Sequence, residues 1–187
     1  MGVIQDESLH DVLYNSLWMS CSEFDPRTTD TDVGTVRDMS SVAYISGFME
    51  RFVRSENLFT SYGFDTLTQR FVALRKKGKS FYNKEVADFA LFNFGMLIEK
   101  LRKKGLVSFY TDIGATSYEW LYTQSSFPTF QELGENFTRY GAVITNARDR
   151  YMRVEDDGVG GIRIVPDYDN VRFRGVQEAD GKLRKLN

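Results

Sequence analysis

Histidine and cysteine occur once each in the 187 residues, as His10 and Cys21, and proline three times. A single cysteine excludes an internal disulfide framework and suits a reducing compartment. With one His and one Cys, neither a Ser-His nor a Cys-His nucleophile system has its parts. The glycine-rich dinucleotide pattern, the P-loop, the GxSxG elbow and the HExxH zinc helix are missing too, and no Cys/His cluster offers ligands to a metal. Long apolar runs are also lacking. None approaches the ~20 residues of a membrane span, and no basic-then-apolar leader opens the chain. Met1-Gly2 would suit a myristoyl signal, but Asp6 stands where that signal needs Ser or Thr. These absences point to a non-enzymatic protein with no cofactor and no metal, located in the cytoplasm or, if viral, in a virion.

What is present can fill a core. Hydrophobic residues make up 42% of the chain and aromatics 14%, which argues against wholesale disorder and for one ordinary domain, with room for an arm. The formal charge of −2 conceals segregation. Residues 1–69 carry four arginines against eleven acids, residues 70–104 ten basic residues against three acids, and the rest is nearly balanced. A basic middle and an acidic front can pair within one chain or head-to-tail between copies. The other readings of the basic middle are a solvated rim around a helix pair and a phosphate-facing patch.

The stretch Asn83–Gly105 predicts the central helix. Asn83 can cap it, and Val86, Phe89, Ala90, Met96, Leu97 and Leu101 recur near the 3.6-residue period. Leu91, Phe92, Phe94 and Ile98 fill the rest of the circumference, as in a buried helix. Lys100, Arg102, Lys103 and Lys104 crowd its last turn and Gly105 supplies a left-handed stop.

Before it, Leu9, Val12, Leu13 and Leu17 mark a short first helix with Ser8 as cap. His10 reads as incidental, and Cys21, with no basic neighbour in sequence, as an inert thiol. Asp25–Asp38 reads as a surface loop; its acids miss the calcium-loop spacing, since the fifth position counted from Asp30 is Gly34 and the twelfth Ser41. A second helix is expected from Asp38 to about Ser55, with Val42, Ile45, Met49, Phe52 and Val53 as its stripe. A third, carrying Leu67, Phe71 and Leu74, closes at Arg75-Lys76-Lys77-Gly78, with Lys79 beyond.

After Gly105 the pattern predicts a β-hairpin over 106–123, its turn at Asp112–Ser117. Helix, helix, Leu101-Arg102-Lys103-Lys104-Gly105, then a hairpin resembles a winged helix-turn-helix over residues 65–123. That resemblance implies nucleic-acid binding, with Arg75, Lys76, Lys77, Lys79, Arg102, Lys103 and Lys104 on phosphates and Tyr82 and Phe109 available for stacking. The span from Glu85 to Leu106 departs from it, reading as one unbroken helix with Gly95 the only possible turn.

Pro128-Thr129 opens a last helix on which Phe130, Leu133, Phe137, Tyr140, Ile144, Ala147 and Tyr151 make an aromatic seam at coiled-coil-like spacing. The seam reads as core or as a face docking on another subunit. The run Pro128-Thr129-Phe130-Gln131-Glu132-Leu133, with Phe137, is locally similar to coat proteins of flexuous filamentous plant viruses, a resemblance confined to those residues.

The acidic, glycine-rich stretch 156–161 reads as a hinge dividing a helical body, 1–154, from an arm, 155–187. Ile162, Ile164, Val171 and Phe173 alternate with Arg163, Arg172 and Arg174 around a turn at Pro166–Asn170, predicting a two-stranded ribbon that needs a host surface. The acid pairs Asp156-Asp157 and Asp167/Asp169 read as solvated, and Lys182, Arg184 and Lys185 form a basic stub. The expected fold class is mostly α with a minor β component, an α+β chain of about five helices, one hairpin and a C-terminal β-ribbon arm. The expected function is a structural or assembly subunit, possible in a virus or phage particle, contacting protein partners through that arm, the seam and charge-complementary surfaces. The alternative is a winged-helix-like nucleic-acid-binding protein.

Overall fold

The computed structural model describes residues 8–24, 32–54, 80–156 and 162–167. Seven helices lie among them: α1 Leu9–Phe24, α2 Asp32–Arg54, α3 Ser80–Met96, α4 Ile98–Lys103, α5 Val107–Ser125, α6 Pro128–Glu135 and α7 Phe137–Tyr151. Strands β1 Met152–Asp156 and β2 Ile162–Pro166 form one antiparallel pair, Met152 facing Pro166 and Asp156 facing Ile162.

The α1 start follows local chemistry. The Asp11 amide donates to Ser8 Oγ at 3.2 Å, and the Ser8 hydroxyl donates to the Asp11 carboxylate at 2.6 Å, so an orphan first-turn donor is satisfied. α3 has apolar residues on most sides and accordingly sits inside, packed against α5 and α7, with Val86, Ala87, Ala90, Leu91, Phe92, Phe94 and Met96 all buried. α1 packs on α2 and α7, and α5 on α6, so one core runs through all of these helices.

Three glycines set how closely the helices meet. A Cβ at Gly95 on α3 would collide with the Ile144 side chain of α7, and one at Gly141 on α7 with the Phe94 ring of α3. Gly114 on α5 leaves room for the Phe137 ring, which meets Phe94 edge-on at 5.7 Å between centroids. Each glycine is a notch for a bulky neighbour, at the entropic cost of glycine in a helix.

Several expectations are corrected here. The hairpin at 106–123 is helix α5. Its buried residues Tyr110, Ile113, Gly114, Ser117, Tyr118 and Leu121 recur at helical spacing, and Gly114 is a packing notch rather than a turn. The wing of a winged helix-turn-helix is therefore absent. The ribbon is also corrected: β2 pairs with β1, across the boundary expected at 154, and the pair folds back with β2 against α1 and α2 rather than extending as an arm. The α+β fold class gives way to an essentially helical protein in which one short strand pair is the only sheet among the described residues.

Boundaries move as well. α2 begins at Asp32, inside the expected loop. The central helix breaks at Leu97 (φ −127°, ψ 27°) and the last one at Asn136 (φ −116°, ψ 28°). At the first break α7 intervenes. Thr145 Oγ1 donates to the Gly95 carbonyl at 2.9 Å and Arg148 to the Met96 carbonyl at 2.6 Å, drawing the end of α3 onto the partner helix. The expected third helix lies outside the described residues.

Candidate functional site

Asp88 is the one fully buried charge among the described residues, set in the apolar surface of α3. A buried carboxylate is tolerated only when its oxygens are well supplied with donors. Oδ1 accepts from the Tyr44 hydroxyl of α2 at 2.6 Å and the Tyr118 hydroxyl of α5 at 3.0 Å. Oδ2 accepts from Arg51 of α2 at 3.0 Å and from Lys84, one turn earlier on α3, at 2.8 Å. The two cations reach outward, Arg51 with 56% and Lys84 with 34% of its side chain exposed, while the carboxylate is at 0%.

Aromatic faces hold both cations: Lys84 lies 4.8 Å from the Tyr44 ring centroid and Arg51 5.3 Å from that of Phe52. Burial pushes the Tyr44 and Tyr118 hydroxyls well above their ordinary range, and the Asp88 charge adds to it, with Arg51 opposing. Both phenols are therefore held as donors. With two cations on one carboxylate, the group carries a net positive charge at the α2–α3 surface. Chemically it ties three helices together and presents a fixed guanidinium to solvent.

A second arrangement lies at the Leu97 break. Arg148 of α7 grips Glu99 through two bonds, of 2.9 and 3.1 Å, and Asp149 at 2.7 Å. Burial works against the Arg148 charge, but its hydrogen bonds to Glu99 and Asp149 outweigh that and raise its pKa; the bond Arg148 donates holds the Glu99 carboxyl below its usual range. Glu99 stands in the first turn of the same short helix, and the Arg102 charge adds to the pull of Arg148 on its carboxylate. Lys100, Arg102, Lys103 and Lys104 are all exposed at the end of α4, and Gly105 closes the turn at φ 67°. Arg102 and Lys103 join no ion pair of the described residues.

No protein-family model, no curated protein and no solved structure matches this chain. Function therefore rests on the geometry alone.

The residues singled out from sequence fall into three groups. Arg102, Lys103 and Lys104 are brought together and exposed at one corner. Phe130, Leu133, Phe137, Tyr140, Ile144 and Tyr151 are all buried within the chain itself, between 0% and 8% exposed, and the seam lies in its own core. Ile162, Arg163 and Ile164 belong to β2. Arg75, Lys76, Lys77, Lys79, Val171, Arg172, Phe173 and Arg174 lie outside the described residues. No helix among the described residues is long and apolar enough to cross a membrane, and none of their His, Cys, Asp and Glu side chains group in a way that could hold a metal ion.

Sequence reasoning passed over the Asp88 group. A signal existed: Lys84 and Asp88 are four apart, and that acid interrupts an otherwise apolar helix surface. Tyr44 and Tyr118 carry no such signal, because their convergence depends on how three helices meet.

Proposed function

We propose that this chain is a non-enzymatic structural subunit of a larger protein complex, of the kind from which a virus or phage particle is built, and that it joins neighbouring copies by charge complementarity. The carrying observation is the basic corner at Lys100–Lys104, where four cations are exposed and the one acid of the same helix, Glu99, is gripped by Arg148. Of its cations, Arg102 and Lys103 join no ion pair among the described residues. The chain's own acid-rich front, with eleven acids and four arginines over residues 1–69, carries the opposite charge that a second copy would bring. The acids of that front whose pairing is seen are bound elsewhere: Glu23 to Arg150 and Glu50 to His10.

A second reading, nucleic-acid binding, rests on the same exposed cations, which suit a phosphate backbone as well as an acidic protein. One experiment separates the two. Size exclusion with light scattering is run at about 50 mM and about 500 mM salt, where exposed charges are weakly and strongly screened, with absorbance at 260 and 280 nm. Assembly predicts an oligomer free of nucleic acid that dissociates at high salt, and that is lost when Arg102, Lys103 and Lys104 are all replaced by Glu. A monomer that carries nucleic acid at low salt and sheds it at high salt would replace the first reading with the second.

A further inference from the structure

The Asp88 group holds more positive charge than its carboxylate needs. One cation and the two phenols would balance and solvate a single buried carboxylate, yet Arg51 and Lys84 both end on Oδ2, at 3.0 and 2.8 Å. Arg51 Nη2 and Lys84 Nζ therefore stand no further apart than those two lengths laid end to end. Inward they meet a carboxylate at 0% exposure, while the side chains that carry them are partly open to solvent. Arg51 spends Nη2 on Asp88, and its Nε and Nη1 bond to nothing among the described residues. Lys84 spends one of its three donors there.

Both side chains are fixed before any ligand arrives. Lys84 lies against the Tyr44 ring and Arg51 against that of Phe52, and Tyr44 is itself tied to Asp88 through its hydroxyl. Holding long cationic side chains in one geometry is the main entropic cost of an ion contact at a surface, and here the fold has already met it. Of the acids next to them in sequence, Glu50 meets His10 at 3.3 Å, and Glu85 is half-buried, about 100° round α3 from Lys84.

We infer that the outer face of the Arg51–Lys84 pair is a binding site for a phosphate group. A guanidinium offers a planar fork and an ammonium a compact point charge, the two forms in which proteins grip phosphate. A tetrahedral anion turns its oxygens in different directions and can meet donors arriving from two helices at once. A planar carboxylate is satisfied by the guanidinium fork alone. The net positive charge of two cations on one carboxylate supplies the attraction. The site shares no residue with the α4 corner, so it stands or falls apart from the assembly reading.

The test is a calorimetric titration with inorganic phosphate, at neutral pH and constant ionic strength, of the wild-type chain, Arg51→Gln, Lys84→Gln and the double variant Arg102→Gln/Lys103→Gln. Thermal melts check the fold. Phenyl phosphate and acetate are titrated alongside, and the Arg51 Nε–H resonance of the wild-type chain is followed by NMR. The expected result is saturable phosphate binding with a Kd on the order of 1 mM, as a few charge-assisted bonds give. Either cluster substitution should weaken it roughly tenfold, the double variant should leave it unchanged, and the Arg51 resonance should move as phosphate is added. Phenyl phosphate bound as tightly as inorganic phosphate supports the site with its phosphate carried on a larger molecule; tighter inorganic phosphate supports it with the free ion. Absence of saturable binding by the wild-type chain overturns the site, as does binding that survives both cluster substitutions or is lost only in the double variant. An Arg51 resonance that stays still overturns it even where a variant melts early. Acetate bound as tightly as phosphate overturns it too, because the pair is then a general anion contact.

Discussion

Asp88 and its four donors show how a buried charge is retained at a three-helix junction. Removing the carboxylate leaves two phenol hydroxyls and two cations without their acceptor, and breaking a buried ion pair from one side costs about 3–5 kcal/mol. Arg51 and Lys84 are partly solvated, which places Asp88→Ala near the lower limit of that range. Asp88→Ala is therefore expected to lower stability by about 3 kcal/mol in urea unfolding. Arg51→Ala, whose side chain is 56% exposed and whose loss leaves three donors on Asp88, should cost no more than about 1 kcal/mol. Equal losses for the two variants would mean that the guanidinium, and not the phenols, holds the carboxylate in place.

At the scale of elements, glycine decides the spacing of α3, α5 and α7. Gly95→Ala and Gly141→Ala each push a methyl into a side chain of the facing helix, and overpacking of this kind costs about 1–3 kcal/mol. Gly47 is the contrasting case. It lies in α2 with nothing within 4 Å of the place a methyl would take, so Gly47→Ala is expected to stabilise by roughly 0.5–1 kcal/mol through helix propensity. Thermal melts of the three variants check the signs, and a stabilising Gly95→Ala would refute the notch.

Those same glycines mark where the sequence could and could not be read. The Leu9–Leu17 and Val42–Phe52 stripes, the buried central helix and the aromatic seam follow local periodicity, and all of them become helix and core. Residues 107–123 went the other way. Val107, Thr111 and Ile113 favour strands by their branching, as the aromatics do, while Gly114 resembles a turn; packing against α3 and α6 overrides that preference. The breaks at Leu97 and Asn136 have no local residue signal, and the first coincides with donors arriving from Thr145 and Arg148, about fifty positions later. Of the candidate sites, the basic run at the end of α4 is legible because cations at a helix terminus are a local pattern. The Asp88 group is not, since three of its five members come from other helices.

For the molecule as a whole, these buried and paired groups set the pH range of stability. The Tyr44 and Tyr118 hydroxyls are raised by burial first and by the Asp88 charge second, from an ordinary value of 10.0. Below pH ~10 they are protonated in both folded and unfolded chains and add no pH dependence to stability. Above it the unfolded chain releases protons that the folded chain keeps, so stability falls as pH rises. Glu99 acts in the opposite direction. Its pKa is lowered from 4.5, so its pairing with Arg148 stabilises fully above that value and is lost as acid protonates it. Melting temperature should therefore be flat through neutrality and decline on both sides. Tyr118→Phe removes one of four donors to Asp88 and should cost about 1 kcal/mol at pH 7. It should also make the decline above pH ~10 less steep, because one of the groups that drives it is gone. Glu99→Gln should flatten the acid side and leave the alkaline side unchanged. An alkaline decline as steep in the Tyr118→Phe and Tyr44→Phe variants as in the wild type would show that these phenols are not held protonated by the fold.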